Sequence, residues 1–502
     1  MAASTRKTTT IGTRRAFGAC AVLVVLVAAA YFRARFADSR GLWLDECGTL
    51  WAARGADWHE TVDRVLAVQG QSPLYYLIER AAIAVLGETE ARIRLTSIVL
   101  GTLVPLLGYV GAARAFGRRA GAAVLLILAF DPALIWQAEQ ARPYPLAEAG
   151  ALLSFLGVVR AVETGRALDR FLAWGGAVLA IYGHYVFVPI LPALVLGVVA
   201  SEKRAYSRRD LLLDVAIAVL ALVPALRHMT ALFQRRHELE IVHSMGINLL
   251  YVSLPPWVRW WALAGAVFAI GTGGLRMRGR GPLAFAFAGG ALTSLAIIVF
   301  LLLGSNMLEE RYLALGATLM PVVAGWAISR LPAPIAALGL SFVCAQGMQD
   351  YDRRWLRVFW HQEWREAAAD LRSLEPRPEE PILLWTGFIE ANLVAKPGRV
   401  TPQLRSFLAS PLEDHPGHPE SGRPYLLLAY GPAFYFPEQP VFYEAEVVPR
   451  LAAARRFFMV VPKGYKEEFE KWLGLRFPEV WKCVRTSRVY NAPVLVAVYE
   501  RR

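Results

Sequence analysis

Long apolar runs alternate with short polar loops as far as residue 346, after which the pattern becomes that of an ordinary soluble protein. A helix needs roughly 20 consecutive apolar residues to cross the hydrocarbon of a bilayer. The first such run is AFGACAVLVVLVAAAYFRAR, residues 16–35, with Arg6, Lys7, Arg14 and Arg15 ahead of it. Its length, and the Tyr31-Phe32-Arg33 ending, predict an uncleaved anchor rather than a signal peptide. The basic N-terminus stays inside, so residue 37 emerges outside. The segment PLYYLIERAAIAVLG, residues 73–87, is apolar but short, and Glu79 and Arg80 interrupt it. It is expected to be interfacial or re-entrant. Further spans are predicted at 94–113, 120–137, 144–160, 171–183, 185–200, 210–227, 257–275, 282–304, 312–329 and 332–346. That makes about eleven in all. With this threading the strongly basic short loops, among them SEKRAYSRR (201–209) and RMRGRG (276–281), all fall on the inner side. Had 73–87 spanned, the two sets of loops would exchange sides.

Residues 347–502 predict a small α/β domain outside the membrane. PILLWTG (381–387), PYLLLAYG (424–431), RFFMVVP (456–462) and APVLVAVYE (492–500) are short apolar runs that suit buried strands. GYKEEFEKWLG (464–474) has a helical pattern, and 353–372 reads as an amphipathic helix near the interface. The chain therefore divides into 1–346, a membrane domain whose first outer loop is 37–93, and 347–502, a soluble extracytoplasmic domain.

Composition adds little to this division. Hydrophobic residues make up 56% of the chain, above the roughly 45–50% of soluble domains. The net charge of +13 comes mainly from arginines in the inner loops, the positive-inside pattern. No basic face with interleaved aromatics stands out, so nucleic acid is not an expected partner. Cys20, Cys47, Cys344 and Cys483 show no metal-ligand spacing; Cys47 and Cys483 share one compartment, as two thiols or as a pair. There is no GxGxxG or P-loop.

The candidate chemistry lies in the outer loops. Asp45 and Glu46 stand in GLWLDECGTLW, among Trp43, Leu44, Leu50 and Trp51. Adjacent acids at a surface are often simply solvated, but a carboxylate with one apolar side can serve as a general base. The second outer loop, QAEQARPYPL, offers Glu139, Arg142 and Tyr144. The next offers His184 and Tyr185, and a later one Glu309, Glu310, Arg311 and Tyr312. Arginine suits a pair of phosphate oxygens, and histidine a phosphate or a metal. Singly, an interfacial arginine snorkels and a tyrosine belongs to the aromatic belt. Together, on one face, they suit a lipid-phosphate sugar lying with its chain in the bilayer.

The acidic pair after the first span, SPLYYLIERAAIAVLG…EARIRLTSIVLG, EQARPYPLA and ERYLALGATLMP resemble the GT-C glycosyltransferases. The resemblance is to bacterial relatives of the protein O-mannosyltransferases and of the lipid A aminoarabinose transferase, and it covers roughly residues 16–346. It implies a polytopic α-helical membrane enzyme of the cell inner membrane, C-terminus outside, that moves a sugar from a polyprenyl-phosphate carrier to a hydroxyl acceptor. By that resemblance Asp45, with Glu46 beside it, is the catalytic base or positions the acceptor. The same resemblance implies that Arg142, Arg311 and Tyr312 contact the carrier phosphate; Tyr144 and His184, from their loop positions, are expected to join them in carrier binding. A divalent metal cation is left open, with Glu139 and His184 as candidate ligands. The acceptor, lipid, glycan or protein, is open too. The long hydrophilic insertion of the eukaryotic mannosyltransferases is missing, which disfavours a protein acceptor. A polysaccharide polymerase or ligase, a transporter or flippase, and an inactive scaffold are the competing classes.

Overall fold

The computed structural model describes residues 2–201, 205–234, 255–272, 280–303, 310–357, 364–377, 380–384, 441–442, 451–462, 466–478, 480–486 and 494–502. The expected strand at 424–431 lies outside them. The membrane part is built of α1 (Ala2–Ala34), α2 (Leu44–Ala53), α3 (Trp58–Val68), α4 (Leu74–Leu86), α5 (Glu90–Phe116), α6 (Arg118–Phe130), α7 (Pro132–Ala138), α8 (Tyr144–Thr164), α9 (Ala167–Gly183), α10 (Ile190–Val199), α11 (Arg208–Gln234), α12 (Pro256–Gly271), α13 (Arg280–Leu302), α14 (Ala314–Ile328) and α15 (Ala333–Arg357).

Among the described residues, five helical stretches are long and apolar enough to cross a membrane: those of α5, α8, α11, α13 and Arg311–Ile328. A sixth is the pair α6 and α7, bent by 59° where Asp131 caps α7 and Pro132 opens it. The number that pass by length and composition is therefore smaller than the eleven expected, for local reasons. Proline and a capping acid break the 120–137 run. The 185–200 run opens in a 3-10 turn (Tyr185–Phe187) before Pro189. The apolar parts of α1, α10 and α12 are short. Helix α4 has 13 residues, about 20 Å at the α-helical rise, too little to span. Large apolar side chains such as Leu212, Leu220, Trp260 and Val267 point outward from α11 and α12, as lipid-facing surfaces do.

Helices α8 and α9 touch backbone to backbone. A Cβ at Gly157 would lie 2.1 Å from Ala173 N, and one at Gly176 would lie 2.5 Å from Ser154 N. Gly150 and Gly183 face Ala180 and Ala147 in the same way. Small residues let membrane helices approach this closely. The hairpin sets the start of α8 beside the end of α9, so Tyr144 and His184 stack with ring centroids 4.9 Å apart.

Helix α15 runs unbroken past residue 346 to Arg357. Beyond it come α16 (Trp364–Ser373), α17 (Lys466–Arg476) and a five-stranded sheet of β1 (Ile382–Leu384), β2 (Val441–Phe442), β3 (Arg456–Pro462), β4 (Trp481–Thr486) and β5 (Val494–Arg501). The strand order is β2-β1-β3-β5-β4, with β1 parallel to both neighbours and β5 antiparallel to β3 and β4. Alternation along the strands separates two faces. Phe458, Val460, Val496 and Val498 pack on α16, whereas Phe457, Met459, Val461 and Tyr499 pack with Phe469 and Leu473 of α17.

Forcing α8 and α9 apart should unseat the hairpin. Gly176→Val is expected to lower stability by about 1–3 kcal/mol, the usual cost of overpacking, seen as a lower thermal midpoint in detergent. Gly271→Ala, at a position with open space, should leave the midpoint unchanged; equal midpoints for the two variants would refute the close contact.

Candidate functional site

Helix α2 begins where the outer loop turns back. Trp43 stands at its N-cap, and the Glu46 side chain accepts from Trp43 N at 3.1 Å, the backbone half of a capping box. Cys47, Leu50 and Trp51 are buried along its length. The two adjacent acids therefore leave the first turn in different directions and meet different partners.

Glu46 is fully buried and faces Arg94, in the first turns of α5. Arg94 Nε and Nη2 each donate to one Glu46 oxygen at 2.7 Å. The remaining guanidinium hydrogens reach Ala37 O, Arg40 O and Gly41 O at 2.7–2.9 Å. Glu46 Oε1 also accepts from Ala141 N at 2.9 Å, beside Arg142. Glu46 thus ties three segments together and has no open side toward a substrate.

Asp45 is the exposed member of the pair, its side chain 26% accessible. Arg311 Nη1 donates to Asp45 Oδ2 at 3.0 Å, and Arg142 Nη2 lies 3.6 Å from the same oxygen. Arg311 is held in a 3-10 turn (Glu310–Leu313), its guanidinium over the Tyr312 ring at 5.5 Å. Arg142 is nearly sealed, at 4%. Its Nη1 also donates to Asp45 O, Thr49 Oγ1 and Gln69 Oε1 at 3.2–3.4 Å. Its backbone is gripped by Ser97, which donates to Arg142 O at 2.9 Å and accepts from Arg142 N at 3.3 Å. Burial opposes the charge on Arg142, but Tyr76 and Asp45 beside it raise its pKa above the usual arginine range.

A neutral polar chain leads away from this cluster. The single Tyr76 hydroxyl proton is shared between Gln71 Oε1 (2.8 Å) and Gln69 Oε1 (3.1 Å), and the Gln71 amide lies 3.4 Å from His184 Nε2. Val186 N donates to His184 Nδ1 at 3.3 Å. Burial, with Arg142 and Arg311 nearby, pushes the His184 pKa down to about 3. The imidazole is therefore neutral at physiological pH.

The structure gathers Asp45, Arg142, Tyr144, His184, Arg311 and Tyr312 and turns two other candidates away. Glu46 serves Arg94. Glu139 accepts from the Tyr351 hydroxyl and from Arg40 Nη2 at 3.4 Å, and burial raises its pKa. Glu139 and His184 thus answer to different partners. Among the described residues no three His, Cys, Asp or Glu side chains form a metal-binding group. Glu309 lies outside the described residues. All four cysteines are free, and Cys47 is buried. Arg94, Thr49, Gln69, Gln71, Tyr76 and Ser97 were not singled out from sequence. Tyr76, Arg94 and Ser97 do lie in the two stretches, 72–87 and 90–101, that carry the family resemblance.

Glu79 of α4 is buried beside Tyr75 and Thr96, whose hydroxyls stand near it without closing a hydrogen bond of full geometry. Burial pushes its pKa up to about 8.

Residues 70–228 match the dolichyl-phosphate-mannose-protein mannosyltransferase family. No curated protein sequence matches the chain. Among solved structures, ArnT from Cupriavidus metallidurans bound to undecaprenyl phosphate superposes with a TM-score of 0.59 at 16% identity, over 95% of this chain and 97% of that one. The apo form of the same protein gives 0.54 at 16% identity, over 98% of both chains. At such identity the likeness establishes the fold.

Two titrations test the electrostatics. The folded pKa of His184 lies below its ordinary value, so the unfolded chain binds a proton that the folded one refuses. Stability contributed at His184 should be complete above pH 6.5 and fall as pH drops toward 3. Its ring resonances should show no titration between those limits; a midpoint near 6.5 would contradict its burial. Glu79 has the opposite sign: its raised pKa means stability is lost as pH rises from 4.5 toward 8. Glu79→Gln should flatten that slope in a pH series of thermal midpoints.

Proposed function

We propose that this chain, which has the fold of the GT-C glycosyltransferases, moves a sugar from a polyprenyl-phosphate carrier to a hydroxyl acceptor at the outer face of the inner membrane. One observation carries it: a partly exposed carboxylate, Asp45, faces two arginines contributed by two other segments of the chain. The carrier class is supported by the undecaprenyl phosphate named for the ArnT structure of like fold. Arg142 and His184 fall within the stretch that matches the mannosyltransferase family. Convergence of the Arg142 and Arg311 segments on Asp45, with His184 stacked on Tyr144, supports these loops lying on one side of the membrane. That favours an odd number of spans, about eleven, and an extracytoplasmic C-terminal domain.

The parts divide the chemistry by exposure. Arg311, 19% accessible, is placed to take the carrier phosphate with its planar fork of donors. Arg142, buried, orients Asp45 and adds positive charge behind it. As Arg311 turns to phosphate, Asp45 Oδ2 is released to accept the proton of the acceptor hydroxyl. The hydroxyl oxygen forms a bond to the anomeric carbon as the bond from that carbon to the phosphate oxygen breaks. The electron pair leaves with the phosphate, whose charge the arginines stabilise. A single displacement of this kind inverts the anomeric centre. Tyr144, Tyr312 and neutral His184 line the site as uncharged groups. Arg142 and Arg311 supply positive charge to the site.

The test is sugar transfer by the purified protein in lipid with a panel of polyprenyl-phosphate sugars. Asp45→Asn is expected to cost about 10²–10⁴-fold in turnover, the range of a lost general base, while carrier binding persists. Arg311→Ala should weaken carrier binding more than Arg142→Lys does. Full activity in Asp45→Asn, or carrier binding indifferent to Arg311, would sink the assignment.

A further inference from the structure

The C-terminal domain does not sit apart from the site. One apolar core contains Trp364, Ala367, Ala368 and Leu371 of α16, the inner face of the sheet, and five residues of the outer loops. Those five are Leu42, Cys47, Leu50, Ile93 and Ala141. Each flanks a group of the site or of its scaffold. Leu42, Cys47 and Leu50 bracket Asp45 and Glu46, Ile93 precedes Arg94, and Ala141 precedes Arg142. Trp364 is fully buried and, among the described residues, heads the fully buried side chains in size.

Polar ties run along the same junction. Arg365 Nε donates to Glu90 Oε1 at 3.0 Å, its Nη2 meets the second Glu90 oxygen, and Nη2 donates to Asp38 O at 3.0 Å. Tyr351 donates to Glu139, and Arg35 pairs with Asp352.

We infer that α16 forms the rear wall of the catalytic loops, and that Trp364 is a positioning residue for Asp45 and Arg142. The inference rests on the transferase assignment above. Its physical basis is close packing: α16 shares one core with residues of α2 and with Ala141, and removing its largest side chain leaves a void into which those neighbours can shift. A misplacement of about 1 Å can cost on the order of 10²-fold in rate. Because the described residues of this core include none from the turn that carries Arg311, the loss should fall on kcat and spare the carrier.

The experiment compares Trp364→Ala, Trp364→Phe and Phe469→Ala in the full chain. Phe469 lies in the sheet's other core, away from α16, so its loss loosens the domain without opening the junction. Two readouts are taken: kcat and KM for the lipid donor, and maleimide labelling of Cys47 with Cys20, Cys344 and Cys483 replaced by Ser. Trp364→Ala should lower kcat by about 10²-fold with donor KM unchanged, and should expose Cys47. Trp364→Phe should restore most of both, and Phe469→Ala should keep kcat and a protected Cys47. Equal loss of kcat in Trp364→Ala and Phe469→Ala would overturn the inference, as would wild-type kcat in Trp364→Ala. If the unsubstituted protein turns over no donor, the transferase assignment fails instead. Cys47 labelling then decides alone: protection lost only in Trp364→Ala upholds the wall, and protection kept there refutes it.

Discussion

The Arg94–Glu46 pair holds the outer face of this protein together. All five guanidinium hydrogens of Arg94 have acceptors, two on Glu46 and three on carbonyls of the loop before α2. Each Glu46 oxygen has a second donor, Ala141 N on one side and Trp43 N on the other. A buried ion pair gains little unless such bonds offset its desolvation, and removing one partner is far costlier than never having had the pair. Here the bonds are complete, and they join the start of α2, the start of α5 and the loop that carries Arg142. The position of Asp45 relative to its arginines is inherited from that junction.

A second constraint comes from the membrane domain. The loop bearing Arg142 passes directly into α8, and His184 ends α9, so these groups can meet only if the two helices lie against each other. The glycines between them allow it. Arg33 is fully buried at the end of α1, and its Nη1 and Nη2 donate to carbonyls of α6 and of its own helix. Its charge is met in part by Leu128 O and Ala129 O in the last turn of α6, where carbonyls lack intrahelical partners.

Much of the fold was legible as pattern. The runs that became α5, α8, α11 and α13, strands β3 and β5, and helix α17 were visible because apolar length and alternation are local properties. The span count was less so: a run such as 120–137 has the composition of a span, while Asp131 and Pro132 bend it. In the site, Asp45, Arg142, Arg311 and His184 were legible as unusual groups at loop positions. Only the family resemblance set Asp45 ahead of Glu46, since two neighbouring acids look alike until Arg94, far along the chain, selects one. Gln69, Gln71 and Thr49 were invisible for a related reason. Neutral polar residues in a loop carry no signal until tertiary structure gives them partners.

The pairing of Asp45 with Arg311 has a consequence for traffic through the site. The N-terminus of α2 and two guanidiniums together make an anion trap, and left bare it would fill with whatever phosphate or sulfate the surroundings supply. The aspartate acts as a built-in counter-ion, occupying that place between encounters. In the proposed transfer, an arriving phosphate would displace a tethered rival, and a departing one would be replaced by it. An arginine with a carboxylate to return to holds its guest less tightly, which favours turnover over retention.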